Sequence, residues 1–145
     1  MATQRMDNVL IVVDDLDAAI AFFADLGLEL EGRASVEGQD VDRLVGLDGV
    51  RSEIAMMRTA DGHGIELDKF HWPPAVKGER ADAPVNTLGI RRIMFAVDDL
   101  DAVLARLRSH GAELIGEVVQ YEGSYRLCYV RGPEGLMVAL AQKLS

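Results

Sequence analysis

The strongest constraint on this chain is that it is written twice. Residues 8–32, NVLIVVDDLDAAIAFFADLGLELEG, align at an offset of 84 positions with residues 92–116, RIMFAVDDLDAVLARLRSHGAELIG. Val13, Asp14, Asp15, Leu16, Asp17 and Ala18 meet identical residues at Val97, Asp98, Asp99, Leu100, Asp101 and Ala102. Gly27, Glu29, Leu30 and Gly32 recur at Gly111, Glu113, Leu114 and Gly116. Most other positions exchange one apolar residue for another. A repeat of this density requires two copies of one supersecondary unit, hence a pseudo-symmetric pair. Further along, ADGHGIEL over residues 60–67 aligns with PEGLMVAL over residues 133–140 at an offset of 73, so the second copy is shorter in its middle loop.

Each copy reads β-α-β-β-β. Residues 8–13 form a short apolar run typical of a buried strand. Asp14 or Asp15 then caps a helix, Asp17 adds negative charge to its first turn, and Gly27 stands where a left-handed C′ residue belongs. Leu16, Ile20, Phe23 and Leu26 set its apolar stripe. A second strand begins over residues 28–32. Residues 33–50 are polar and read as loop, with DVDRLVGL able to hold a short helical turn. Strands over 52–58 and 64–70 flank the turn ADGHG. Residues 71–88, HWPPAVKGERADAPVNTL, hold three of the four prolines and no periodicity, and read as a linker. The second copy gives a strand over 90–97, a helix over 99–110 capped by Asp98 or Asp99, and a strand over 112–119. Strands over 124–131 and 136–142, split by the turn GPEG, complete it. The chain is thus read as one α+β domain, with module one over 5–70 and module two over 89–143.

Bulk properties narrow the function. With 145 residues the chain buries a real core, although each half alone is marginal. A net charge of -9 argues against nucleic acid and against an anionic membrane as partners. No apolar run approaches the roughly 20 residues of a transmembrane helix. The first residues lack a signal-peptide core, and Cys128 is the single cysteine, so a reducing, cytoplasmic setting is expected.

The duplicated VDDLDA segments after apolar strands, the G-x-E-L after each helix and the GPEG turn before the last strand resemble the vicinal oxygen chelate superfamily. This family comprises glyoxalase I, the bleomycin and fosfomycin resistance proteins and the extradiol dioxygenases. The resemblance implies two tandem βαβββ modules forming a curved mixed sheet around a cavity, often in a homodimer. It also implies a divalent metal held by a His at the start of each module's first strand and a carboxylate on each module's last strand. Here those positions carry Asn8, Glu66, Arg92 and Ala139. Only Glu66 is a good ligand: Asn8 is a poor one, Ala139 has no donor, and Arg92 is a permanent cation. One carboxylate does not hold a catalytic ion, so no metal cofactor is expected. If the strands converge as in the family, Glu66 and Arg92 face each other as an ion pair; a one-residue slip would instead turn Arg91 inward and Arg92 out.

Other residues supply a guest-binding surface. Trp72 offers a stacking face. Met56, Met57, Met94 and Met137 are core thioethers, one per strand facing the hollow. Tyr125, Leu127 and Tyr129 share one face of their strand and Arg126 and Cys128 the other; alternation alone does not say which lines the hollow. Cys128 lacks a histidine partner for nucleophilic chemistry. His63, in the DGHG turn, is a candidate acid or base, or simply solvated; His71 joins Trp72 at the linker, and His110 has no assigned role. Two functions are compatible with these residues. The first is a protein that sequesters an aromatic or bulky small molecule without metal, with Asn8, Met56, Glu66, Trp72, Arg92, Met94, Tyr125, Tyr129 and Met137 contacting it, as in the bleomycin resistance branch and its antibiotic resistance. The second is a metal-independent isomerase, lyase or hydrolase with Glu66 as general base. A divalent-metal glyoxalase or dioxygenase ranks third.

Overall fold

A computed structural model of the chain describes residues 2–121 and 123–144, and its fold is α+β with one mixed sheet in each of two units. The units are Met1–Val76 and Lys77–Ser145, so the boundary falls inside the proline-containing segment.

In the first unit, β1 (Asn8–Val12) leads into helix α1 (Leu16–Leu26). Asp15, rather than Asp14, is the cap: its carboxylate accepts from the Ala18 backbone N–H at 3.0 Å. Gly27 closes the helix with φ of 115°, a left-handed value that a side chain resists. The buried stripe is Leu16, Ala19, Phe22, Phe23 and Leu26, with Ile20 only half-buried. Phe22 and Phe23 meet edge to face, 5.1 Å between ring centres. Strands β2 (Glu29–Glu37), β3 (Arg51–Arg58) and β4 (Gly64–Trp72) complete the unit, and the sheet order is β1-β4-β3-β2. The first strand pairs parallel to the last and the other pairings are antiparallel. Helix α1 packs on one face, where Ala55, Met57, Ile65 and Leu67 are buried.

Two sequence expectations fail here. Residues 33–50 are not mainly loop, because β2 continues to Glu37, while the short helical turn allowed within DVDRLVGL is present as helix α2, Gln39–Val45. β2 is an almost wholly exposed edge strand, so it shows no apolar alternation. It is held by register with β3 and by Arg33, which reaches Asp17 of α1 and Glu53 of β3, each at 2.7 Å. Helix α2 buries no residue; Asp42 instead ties it to the start of β3 by accepting from the N–H groups of Gly49 and Val50, both at 2.9 Å. The linker, moreover, begins later than His71, since β4 runs through Trp72.

The second unit repeats the plan with β5 (Arg92–Ala96), helix α3 (Leu100–Arg108), β6 (Glu113–Leu114), β7 (Val119–Tyr121), β8 (Tyr125–Arg131) and β9 (Met137–Lys143). Its path is β5-β9-β8-β6, with β7 also paired to β8. Asp99 caps α3 through the Ala102 N–H at 3.1 Å, and Leu100, Val103, Leu104 and Leu107 are buried. The strand expected over 112–119 is instead two short pieces, β6 and β7, separated by bends around Gly116.

Residues 79–91 belong to this unit as a strap. Arg131 donates from Nη1 to the Ala81 carbonyl at 3.0 Å and to the Gly135 carbonyl at 3.3 Å, and from Nη2 to the Ala83 carbonyl. Arg91 pairs with Glu79 at 2.7 Å. The strap lies so close to the β8–β9 turn that a Cβ on Gly135 would stand 2.6 Å from the Ala81 Cα, and Gly135 has φ of 80°. Both the conformation and the space therefore demand glycine. Gly135→Ala is expected to lower stability by roughly 2 kcal/mol or more in urea unfolding; a loss below roughly 0.5 kcal/mol would contradict this packing.

Candidate functional site

Period-two alternation sends one set of side chains from the first unit's sheet to α1 and the other to the face without a helix. On that free face Leu10 of β1 stands beside Glu66 of β4, which stands beside Met56 of β3. One step along, Val12, Asp68 and Ile54 form a second row. Asn8, opposite Gly64, lies at the end of the same face. Leu10 and Val12 are 49% and 41% exposed, whereas Asp68 is only 5% exposed. The site is therefore an apolar surface with two carboxyls set into its middle strand.

Asp68 is the residue that sequence reasoning missed. Its main-chain carbonyl is used, accepting from the Val13 N–H at 2.9 Å. Its side-chain Oδ1 is buried and has no hydrogen-bond partner among the described residues. Burial first, and then the neighbouring Glu66 carboxyl, pushes the Asp68 carboxyl up to about 7. The available signal was the spacing Glu66-x-Asp68, which places both acids on one face. The alternation I-E-L-D in that stretch implies instead that the acids point to water.

On the second unit's free face Arg92 is opposite Met137, and Met94 is opposite Ala139, which is opposite Tyr129. Arg92 thus lies on the free face, and Arg91 serves the strap. The Arg92 guanidinium sits over the Tyr129 ring, 5.4 Å from its centre, with Nη1 3.6 Å from the Met94 sulfur. Tyr125, Leu127 and Tyr129 share this face, whereas Arg126 reaches Asp101 of α3 in a two-pronged pair at 2.9 and 3.0 Å. Cys128 is buried on that helix side, and burial pushes its thiol up, away from thiolate chemistry. Met94 is 44% exposed, while Met137 is buried.

The remaining candidates are peripheral. His63 is exposed and pairs through Nδ1 with Asp61 at 3.0 Å. His71 lies 3.8 Å from Glu53, on the Arg33 network. Trp72 is 53% exposed, with its ring edge against Gly49. Among the described residues no three His, Cys, Asp or Glu side chains group as a metal site. At Arg92 and Ala139, the two second-unit positions where the resemblance implies ligands, the side chains are a guanidinium over a ring and a methyl group.

The chain matches the profile of the glyoxalase/bleomycin resistance protein/dioxygenase superfamily over residues 5–140. It is similar to a glyoxalase family protein from Bacillus cereus, with 56% identity, a TM-score of 0.93, and coverage of 100% of this chain and 99% of that one. It is 26% identical over 144 residues to the protein YaeR of Escherichia coli K12, covering 99% of each. A glyoxalase I mutant from Zea mays shares the fold at a TM-score of 0.67 and 15% identity, over 94% of this chain and 45% of that chain.

The state of Asp68 gives stability a pH dependence. Between pH about 4 and about 7 the folded chain keeps a proton on this carboxyl that the unfolded chain releases. Stability contributed at low pH is therefore lost as pH rises through this window. Asp68→Asn removes the effect, and the variant should gain on the parent by about 2 kcal/mol more at pH 8 than at pH 5.5 in chemical unfolding. A difference independent of pH would refute it.

Proposed function

The chain belongs to the glyoxalase/bleomycin resistance protein/dioxygenase superfamily, and from that premise we propose that it is a small-molecule-binding protein that works without a catalytic divalent metal. Its guest is aromatic or otherwise bulky, is held on a helix-free sheet face, and is sequestered rather than converted, as a resistance protein of the bleomycin type would hold an antibiotic. The observation that carries this reading is the position of Arg92. Its guanidinium rests on Tyr129, at a position where the resemblance implies a metal ligand, and a fixed positive charge there opposes a divalent ion. Ala139 adds no donor. Each free face is suited to holding a molecule: in the first unit Leu10 and Val12 are apolar and exposed and Met56 adapts in shape, and in the second Met94 is apolar and exposed while Tyr125 and Tyr129 bring rings with hydroxyls. Trp72, at the end of β4, supplies a further exposed ring. Assembly as a homodimer accompanies this reading.

A second reading has its own support. Glu66, half-buried and on the same sheet face as the buried Asp68 carboxyl, has the surroundings of a general base in a metal-independent isomerase, lyase or hydrolase. There Glu66 takes a proton from the substrate, and Asp68 positions it.

Native mass spectrometry of protein purified without chelator separates the readings. The expected result is less than about 0.1 divalent ion per chain and a co-purified organic molecule. Re-adding that molecule at about 100 times its Kd should stabilise the protein by about 2.7 kcal/mol with no loss of the molecule over hours. Consumption abolished by Glu66→Gln, with binding retained, would establish the second reading instead; a stoichiometric metal ion would overturn both.

A further inference from the structure

Buried polar atoms in folded proteins are almost always partnered, so an acceptor that is buried, carries a carboxyl's charge density and meets no donor points to a donor supplied from outside. Asp68 Oδ1 is such an atom: the residue is 5% exposed and the oxygen is unpartnered among the described residues. It does not stand alone. Glu66 lies two residues away on the same face of β4. The flanking strands place Leu10 and Val12 on one side of the two acids and Met56 and Ile54 on the other. The basic side chains nearest along these strands are engaged elsewhere. Lys69 points to the opposite face, toward Asp14 at 3.9 Å, and Arg33 is engaged by Asp17 and Glu53 on that opposite side. Arg58 is held by Glu31 and by the Gly62 carbonyl. The internal repeat adds a comparison. The positions equivalent to Glu66 and Asp68 in the second unit are Ala139 and Ala141, so the scaffold does not need acids there to fold.

We propose that Glu66 and Asp68 are the head-group site of the first unit and that they take a protonated amine on an apolar body. The ammonium donates to Asp68 Oδ1 and to the Glu66 carboxylate, while its hydrocarbon or ring lies along Leu10, Val12, Met56 and Ile54. The assignment rests on the small-molecule-binding reading and narrows it to a class. A hydroxyl satisfies the orphan acceptor but leaves the pair's charge uncompensated, and a carboxylate adds repulsion; both should bind less well.

Three probes with one ring and different heads decide the matter: benzylamine, benzyl alcohol and benzoate, each titrated into the protein at pH 7 and followed by amide NMR. Benzylamine should shift the signals of residues 8–12, 54–56 and 66–68, with a Kd at least about tenfold below that of benzyl alcohol. Benzoate should show no saturable shift. Asp68→Asn and Glu66→Gln should each weaken benzylamine at least about fivefold and leave benzyl alcohol within about twofold; using both guards against a folding defect in either. Equal binding of amine and alcohol on this face, or an amine affinity untouched by both substitutions, would overturn the amine assignment while leaving a small-molecule site in place. Absence of any shift with benzylamine also overturns it, and the general reading then stands or falls by the molecule that co-purifies with the protein.

Discussion

The parallel pairing of the first and last strands of each unit is the constraint on which the rest depends. β1 lies along β4 and β5 along β9, and in both cases the ladder is extended by one more bond, from Val13 to the Asp68 carbonyl and from Val97 to the Ala141 carbonyl, each at 2.9 Å. That closure puts the last strand of each unit at an inner position in its sheet. An inner strand has one face under the helix and the other free, so it can carry a polar group flanked on both sides by apolar neighbours. Glu66 and Asp68 owe their surroundings to this position and not to anything in their own vicinity along the chain.

The helix caps show the same economy. One aspartate per unit, Asp15 or Asp99, accepts from the third residue on, while the next acid, Asp17 or Asp101, is taken up by an arginine of the sheet's helix side: Arg33 in one unit, Arg126 in the other. The surface pairs contribute little energy individually. They link the first turn of each helix to its sheet, while the buried apolar stripe orients the helix. The two arginines come from different strands, β2 and β8. The same fixture is therefore built by different means in the two halves.

Much of this was legible in the sequence because duplication supplies its own alignment. The order of elements, the pair of aspartates from which each cap comes, and Gly27 can be read by placing one half on the other. What escaped had no periodic signal. β2 beyond Gly32 is an exposed edge and leaves no apolar imprint, and α2 buries nothing, so only a helical turn within DVDRLVGL could be read there. The two pieces β6 and β7 are too short to show a period. Asp68 escaped for the opposite reason: its alternation with Ile65 and Leu67 is clear, but a regular polar face is the pattern of a solvated strand. Only the tertiary setting turns one of those two acids into a buried group. Duplication also hid it, because attention goes to positions the two halves share, and Asp68 is where they differ.

The strap held by Arg131 has a consequence for how the polypeptide tolerates being cut. The exposed Val76 lies after the last residue of β4 and before the first anchored residue, Glu79. A protease nick there severs no sheet and no tether, and leaves each fragment with all its strands. Val85, also exposed, lies only nine residues downstream. A nick there separates the Ala81 and Ala83 carbonyls from the half whose arginine grips them. Two neighbouring exposed sites thus differ in kind: cleavage at one falls between the two units, and cleavage at the other tears a fastening from its own half.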